Sequence, residues 1–91
     1  MTVTHVPGGD QVRVAYAIGR RVGPAVVRNR LRRQLRAAVR EIHHDEGLAP
    51  GAYLVGARPE AVGRPYRELR SELRAALAAA AAGPVPTVEA P

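Results

Sequence analysis

Hydrophobic and polar side chains alternate along much of the first eighteen residues, as they do in strands that are buried on one face. Residues 3–6 favour a short strand, and residues 7–10 (PGGD) are strong turn formers. Residues 11–18 alternate strictly, and one face of this segment consists of Val12, Val14, Tyr16 and Ile18. The pattern predicts a β-hairpin in which the second strand is the more regular one.

The chain then changes to the spacing of an amphipathic helix, with apolar residues three or four positions apart. Gly23-Pro24 favours a helix start, because proline is well tolerated at the first helical position, and Gly47 favours a stop. We therefore expect a helix from residue 24 to about residue 46. With residues about 100° apart around the axis, its core face consists of Val27, Leu31, Leu35, Ala38 and Ile42.

Residues 52–57 (AYLVGA) form an apolar run of strand length, which predicts a third strand that is central or buried on both faces. Residues 58–65 contain two prolines and a glycine and predict a connection. A second amphipathic helix is expected over residues 66–82. Its apolar side contains Tyr66, Leu69, Leu73, Ala76, Leu77 and Ala80.

The predicted order of elements is β-β-α-β-α, which places the chain in the α+β class. With 91 residues the chain is long enough for one small domain. We expect a single small α-β sandwich in which a long arginine-rich helix packs on a small sheet. Residues 1–82 form this domain, and residues 83–91 (GPVPTVEAP) are expected to be a disordered tail.

Charge is distributed unevenly over these elements. The formal net charge is +6, but residues 20–40 contain eight arginines and no acidic residue, whereas residues 41–91 contain seven acidic residues and five arginines. All fourteen basic residues are arginine, so the choice of arginine over lysine carries little weight. Their concentration in one segment points to a polyanionic partner.

On the predicted long helix the arginines lie away from the apolar stripe. Opposite the core lies a row of arginines that repeats every four residues and consists of Arg28, Arg32, Arg36 and Arg40. Asn29 and Arg33 lie beside this row and widen it, and Arg30 lies on a flank. Like charges at this spacing repel by about 0.2–0.5 kcal/mol per pair, so stability alone would favour interleaved glutamates. The alternative interpretation is an ordinary arginine face that is exposed to solvent. Because the row contains no acidic residue, it favours a phosphate-binding surface instead, and guanidinium groups bind phosphate bidentately.

Other candidate chemistry is sparse. The absence of cysteine excludes disulfides, thiolate catalysis and cysteine-based zinc sites. His43 and His44 point about 100° apart on a helix and lack a third metal ligand, and Ser71 has no nucleophile context. No apolar run is long enough to span a bilayer, and the first residues do not resemble a secretory signal. We expect a cytoplasmic protein without membrane association and without catalytic residues.

Residues 13–36 (RVAYAIGRRVGPAVVRNRLRRQLR) resemble the signature of the bacterial ribonuclease P protein component. That signature contains a strand, a basic pair, V-G-x-A-V-x-R-N-R and a basic continuation on a helix. Residues 53–58 (YLVGAR) resemble the last strand of the family, and residues 66–69 (YREL) resemble the start of its last helix. The likeness covers roughly residues 3–80.

The resemblance implies a small subunit that binds the catalytic RNA of ribonuclease P and assists it in removing the 5′ leader from precursor tRNA. The RNA carries out the Mg²⁺-dependent reaction, and we expect no dedicated metal site in this chain, which is expected to be monomeric when free. In the family the arginine-rich helix contacts the RNA, and a cleft formed with the sheet holds the leader. Tyr16 is a candidate for stacking a leader base, although an ordinary core tyrosine is the alternative. The expected RNA-binding residues are Arg20, Arg21, Arg28, Asn29, Arg30, Arg32, Arg33, Arg36 and Arg40.

Members of that family usually begin with a basic helix, an aromatic-bearing segment and a first strand, which precede the region that this chain resembles. We therefore expect an N-terminally shortened form, through either a misassigned start or a short lineage variant. RNA binding is better supported by the residues present than leader binding is. The alternative function is a general RNA-binding or ribosome-associated module without tRNA-processing activity.

Overall fold

The computed structural model describes residues 1–82, and the tail predicted for residues 83–91 lies outside the described residues. Single turns of 3₁₀ helix, Arg20–Val22 and Pro59–Ala61, follow the second and third strands. The order β-β-α-β-α and the α+β class are confirmed. The regular elements are β1 (Thr2–Pro7), β2 (Val12–Ile18), α1 (Ala25–Glu46), β3 (Gly51–Ala57) and α2 (Tyr66–Ala81).

The sheet has the strand order β1-β3-β2, so the predicted hairpin between β1 and β2 is wrong. β3 lies between them, antiparallel to β1 and parallel to β2. Because β3 is the most apolar of the strands, it takes the central position, where both of its edges are hydrogen-bonded and one of its faces is covered by the core. The turn-forming residues 8–11 therefore connect two strands that are not neighbours.

Gly51 starts β3 at the point where the chain enters between the other two strands. It pairs with Pro7 on one side and with Val12 on the other, and its N–H donates to the Gln11 carbonyl at 2.9 Å. Its φ is 137°, and a Cβ at this position would collide with the Val6 carbonyl. Glycine is required here because no other residue fits both the backbone angle and the space.

Both helices pack on one face of this sheet. Alternate residues of β2 and β3 point into the core, where Ile18, Tyr53 and Val55 are buried. The opposite face of the sheet is open to solvent, and Leu54 on that face is 48 % exposed. β3 is thus central, as predicted, but only one of its faces is buried.

The helices supply most of the core through their predicted apolar sides. In α1, Val39 is buried as well, although the periodicity did not assign it to the core face, whereas Val27 is only partly covered. Neither helix in the described part of the chain is long and apolar enough to cross a membrane. The buried helical residues are Leu31, Leu35, Ala38, Val39 and Ile42 from α1, and Leu69, Leu73 and Leu77 from α2.

Ion pairs join the C-terminal half of α1 to α2. Arg70 bridges Glu41 at 3.0 Å and Asp45 at 3.1 Å, and Arg74 pairs with Glu46. These pairs lie at the surface above the buried leucines of the two helices. They therefore hold the helices in register and neutralise the acidic residues with which α1 ends.

A second charged cluster joins the first residue to α2. The N-terminal ammonium lies 3.1 Å from a Glu72 carboxylate oxygen, and the Arg64 guanidinium pairs with the same carboxylate. Hydrogen bonding from Arg64, and secondly from the ammonium group, lowers the pKa of Glu72 below its ordinary value. The cluster attaches β1 to the helix layer.

We expect this cluster to stabilise the protein only where Glu72 is ionised. A lowered pKa in the folded state adds stability above the ordinary glutamate pKa and loses it as the pH falls through the folded-state pKa. The Glu72→Gln variant should therefore be less stable than the parent by about 1 kcal/mol near pH 6. That difference should decrease as the pH is lowered through the folded-state pKa of Glu72, as measured by thermal unfolding followed by circular dichroism.

Glu68→Gln is the matched control, because Glu68 is more exposed and contacts only Arg64, at 3.5 Å. It should change stability less than Glu72→Gln at every pH. A stability difference for Glu72→Gln that stays constant from pH 3 to pH 6 would contradict an ionic origin.

Candidate nucleic-acid interface

The arginine row of α1 is slanted relative to the core. Because Val39 is buried and Val27 is only partly covered, the core face is centred about 25° further toward Arg28 than the sequence pattern places it. Arg28 and Arg32 are accordingly half-buried, whereas Arg36 and Arg40 are exposed. The prediction of a row directly opposite the core is wrong for the first two arginines, and the row instead runs from the core edge to the back of the helix.

None of these arginines is paired with a carboxylate in the described residues. Every arginine in an ion pair between residues 1–82 belongs to the segment 64–74. The acidic residues nearest to the row along α1, Glu41 and Asp45, are taken up by Arg70 of α2. The row therefore presents its positive charge to solvent without internal compensation.

Two members of the row are held in place by local hydrogen bonds. Arg28 donates from Nε to the Gly23 carbonyl at 3.1 Å, and Arg32 donates to the Asn29 side-chain oxygen at 2.9 Å. Asn29 thus positions a guanidinium group and keeps its amide N–H groups available as donors. Both bonds leave further guanidinium N–H groups free to reach a phosphate.

An open cleft of about 540 Å³ lies between α1 and the inner face of β2. Tyr16 lies in this cleft, and the Arg36 guanidinium carbon is 5.9 Å from the centre of its ring. Burial raises the pKa of Tyr16, although Arg36 and Arg40 lower it in part, so the phenol is neutral at physiological pH. Apolar side chains and an aromatic ring therefore line the floor, the rim carries Arg36, Arg40 and His43, and the lining also includes Asp10 and Gln11.

The remaining predicted residues lie away from this cleft. Arg20 and Arg21 lie on the 3₁₀ turn that follows β2, and Arg33 is exposed on the back of α1. Arg30 lies on the opposite flank of α1, beside a groove whose other wall includes Val62 and Arg64. The predicted residues thus lie on α1 and on the 3₁₀ turn that precedes it, but they occupy three different sides of the helix.

Sequence analysis missed Arg58, which lies directly after β3. The parallel pairing of β2 with β3 places it at the same sheet edge as Arg20 and Arg21, and all three line one depression. The basic pair and Arg58 are more than thirty residues apart in the sequence. The predicted hairpin paired β2 with β1 and not with β3. The sequence pattern therefore did not indicate that Arg58 lies beside Arg20 and Arg21.

The histidines have structural contacts. His5 stacks on Tyr53 with ring centres 4.1 Å apart, His43 accepts the Leu48 N–H at 2.9 Å, and His44 lies 3.3 Å from Asp45. Within residues 1–82 no three His, Asp or Glu side chains converge on a point where a metal ion would fit. The candidate binding groups on the described surface are therefore arginine side chains and the aromatic ring of Tyr16.

The sequence profile of the Ribonuclease P family matches residues 1–81. The chain belongs to the Ribonuclease P family. It is 39% identical over 66 residues to the ribonuclease P protein component of Brucella suis, covering 71% of this chain and 46% of that protein. It is 43% identical over 75 residues to the ribonuclease P protein component of Symbiobacterium thermophilum, covering 78% and 64%. The chain spans about half the length of the Brucella relative.

Solved structures of this family show the same fold. A Staphylococcus aureus RNase P protein structure matches with a TM-score of 0.74 at 22% identity, over 86% of this chain and 72% of that one. A mutant of the Staphylococcus aureus protein, described as defective in mRNA degradation activity, matches with a TM-score of 0.75 over 86% and 66%. At this identity the likeness concerns the fold alone.

We expect the exposed and half-buried arginines of the row to contact RNA phosphates. Replacing Arg32 and Arg36 together by alanine should weaken binding to a bacterial ribonuclease P RNA. The slope of log affinity against log salt concentration should become shallower by about two, because about two counterions fewer are released. The measurement is a binding titration between about 50 and 200 mM salt.

The matched control replaces Arg13 and Arg67 by alanine. Both are exposed and have no ion pair in the described residues, but they lie on the outer sheet face and on α2. The control should leave the slope nearly unchanged. Equal losses in the two double variants would show that binding depends on net charge alone and not on the row.

Proposed function

We propose that this chain is the RNA-binding protein subunit of ribonuclease P, which assists a catalytic RNA in removing the 5′ leader from precursor tRNA. The observation that carries the proposal is the uncompensated arginine row of α1, together with the family membership of residues 1–81. Phosphates of a large folded RNA are the partner that such a row fits best, because its charges follow one helix face.

In this proposal the protein binds and orients, and the RNA carries out the phosphodiester hydrolysis with Mg²⁺. The ions are held by the RNA, its substrate and their phosphates, so the chain needs no metal site of its own. Its arginines lower the repulsion between the catalytic RNA and the precursor tRNA, both of which are polyanions. The protein therefore acts most strongly where Mg²⁺ is too scarce to provide that screening.

The cleft between α1 and β2 is the proposed binding site of the leader. Its floor offers the Tyr16 ring as a stacking surface, and its rim offers Arg36 and Arg40 to the phosphates on either side of a stacked base. Stacking on an aromatic ring with cations alongside is how proteins hold single strands without sequence preference. A cleft of this kind suits leaders that differ in sequence.

We propose that the free chain is a cytoplasmic monomer, since its partners are RNAs of the cytoplasm. Its fourteen arginines against eight acidic residues favour mutual repulsion of free copies and rapid, electrostatically steered association with RNA.

The decisive experiment is cleavage of a precursor tRNA by a bacterial ribonuclease P RNA at low Mg²⁺, with and without this chain. We expect the chain to raise cleavage at low Mg²⁺ and to have little effect at high Mg²⁺, where the RNA alone is screened. Binding of the RNA without any stimulation would favour a general RNA-binding or ribosome-associated role instead.

A control variant tests whether the stimulation depends on the row. The Arg32→Ala/Arg36→Ala variant should lose most of the stimulation at low Mg²⁺, whereas Arg13→Ala/Arg67→Ala should retain it.

Tyr16 tests the leader site separately from the RNA contact. Loss of the ring in Tyr16→Ala should raise the KM for a precursor with a single-stranded leader, because one stacked base contributes about 1–3 kcal/mol. That energy corresponds to at least about a fivefold change. Tyr16→Phe retains the ring and should behave like the parent. With a leader shortened to one nucleotide, the three proteins should have the same KM; a defect that persists would place Tyr16 outside the leader site.

A further inference from the structure

A groove separates α1 from the connection that leads into α2. Val27, Leu31 and Gln34 line it from α1, and Val62 and Gly63 line it from the connection. Its volume is about 260 Å³. Because Val27 and Gln34 are seven residues apart on the helix, the groove is about 10 Å long. It is smaller than the sites of about 300–1,000 Å³ that hold drug-sized molecules, and it therefore suits a single ring system.

The floor and the two walls of this groove are apolar. Leu31 is buried and closes the floor, and Val27 is only partly covered by the core. Val62 on the other wall is 40 % exposed, so apolar surface is open to solvent on both sides of the floor. A flat ligand between Val27 and Val62 removes this surface from water. The groove therefore favours a ligand with apolar faces.

Gln34 supplies the neutral polar group of the groove. It is half-buried, and its side chain makes no hydrogen bond to any of residues 1–82. Its amide is thus available with an acceptor oxygen and two N–H donors. Asn29, the other side-chain amide of α1, is by contrast engaged with Arg32. The free amide is best matched by a ligand that carries a donor and an acceptor side by side.

The charges at the rim indicate which kind of molecule brings that ligand. Arg64 is held by Glu68 and Glu72, so its charge is already compensated. Arg30 forms no ion pair and no side-chain hydrogen bond with the described residues, and it is available to an anionic group beside the ligand. An apolar side chain of a protein would fill the walls, but it would leave the Gln34 amide without a partner.

We propose that this groove binds one unpaired adenine of the partner RNA. The faces of the base pack between Val27 and Val62, and Arg30 contacts the phosphate of the same nucleotide. Adenine carries an amino donor beside a ring-nitrogen acceptor, the pattern with which a glutamine amide pairs bidentately. The inference rests on the proposed RNA binding and deepens it. The arginine row recognises phosphates without regard to base sequence, whereas Gln34 selects a base.

The first test compares the affinities of full-length variants for a bacterial ribonuclease P RNA. Gln34→Met nearly retains the length of the side chain but removes its hydrogen-bonding groups. It should weaken binding at least about fivefold, the factor that corresponds to one lost bidentate contact with a base. Because no phosphate contact is lost, the slope of log affinity against log salt concentration should stay unchanged. This constant slope separates Gln34→Met from the Arg32→Ala/Arg36→Ala variant.

Ser71→Ala is the matched control, because Ser71 is an exposed, uncharged polar residue of α2 that does not line the groove. It should bind the RNA as the parent does. Binding is measured well below the melting temperature of each variant, which circular dichroism provides. Unchanged binding by Gln34→Met, or an equal loss for Ser71→Ala, would overturn the proposal. Tighter binding by Gln34→Met would also overturn it and would assign the groove to an apolar ligand.

The second test identifies the base. Purine riboside lacks the N6 amino group of adenosine, and RNA that contains it at random adenosine positions is sorted into bound and unbound fractions. With the parent, substitution at one unpaired adenosine should be depleted from the bound fraction. With Gln34→Met that depletion should disappear, because the contact is already absent. If the two proteins give the same pattern, Gln34 reads no adenine and the proposal is wrong.

Failure of this site and failure of the proposed function give different results. If the chain does not stimulate cleavage of precursor tRNA but Gln34→Met weakens RNA binding at constant slope, the groove reads a base in another RNA-dependent role. If the chain stimulates cleavage and Gln34→Met binds like the parent, the function stands without this site.

Discussion

The helix α1 has to supply both a large part of the core and the cationic surface, and the rest of the structure depends on how these two demands are met. Its three like-charged pairs with four-residue spacing cost about 1 kcal/mol in total. Burial of a single leucine or isoleucine side chain contributes about 1.5–3 kcal/mol, and α1 buries Leu31, Leu35 and Ile42 almost completely. Burial therefore outweighs the repulsion, and the helix can carry an acid-free row without interleaved glutamates.

The second helix makes this arrangement effective. Arg70 and Arg74 pair with the acidic residues near the end of α1, so those carboxylates do not neutralise the arginine row. Arg64 pairs with acidic residues of α2 itself. Charge is thus divided between two groups of arginines: Arg64, Arg70 and Arg74 pair with acidic residues of the two helices, and the arginines of residues 20–40 have no ionic partner within the described part of the chain.

Local periodicity was sufficient to predict the helices, the strands and most of the core, because these depend on neighbours within a few positions. It failed where distant segments meet. The insertion of β3 between β1 and β2 depends on Gly51 and on strand pairing across the sheet, neither of which a local pattern contains. Burial of Val39 and the position of Arg58 follow from that packing. The sequence left two roles open for Tyr16, stacking of a leader base and an ordinary place in the core. Only the structure shows that its ring lies in the cleft, beside Arg36.

The arginines of the α1 row differ in how much freedom they lose when an RNA binds. An arginine side chain carries about 2 kcal/mol of rotamer entropy, part of which is lost when its guanidinium group is fixed. Arg28 and Arg32 are half-buried and already hydrogen-bonded to Gly23 and Asn29, so folding has restricted them before any RNA arrives. Arg36 and Arg40 are exposed and adaptable. The restricted pair favours phosphates at defined positions, whereas the adaptable pair adds attraction that depends on salt and tolerates different leaders. The order along α1 follows from the slant of the row, which arises because residues four apart on an α-helix are offset by about 40° around its axis.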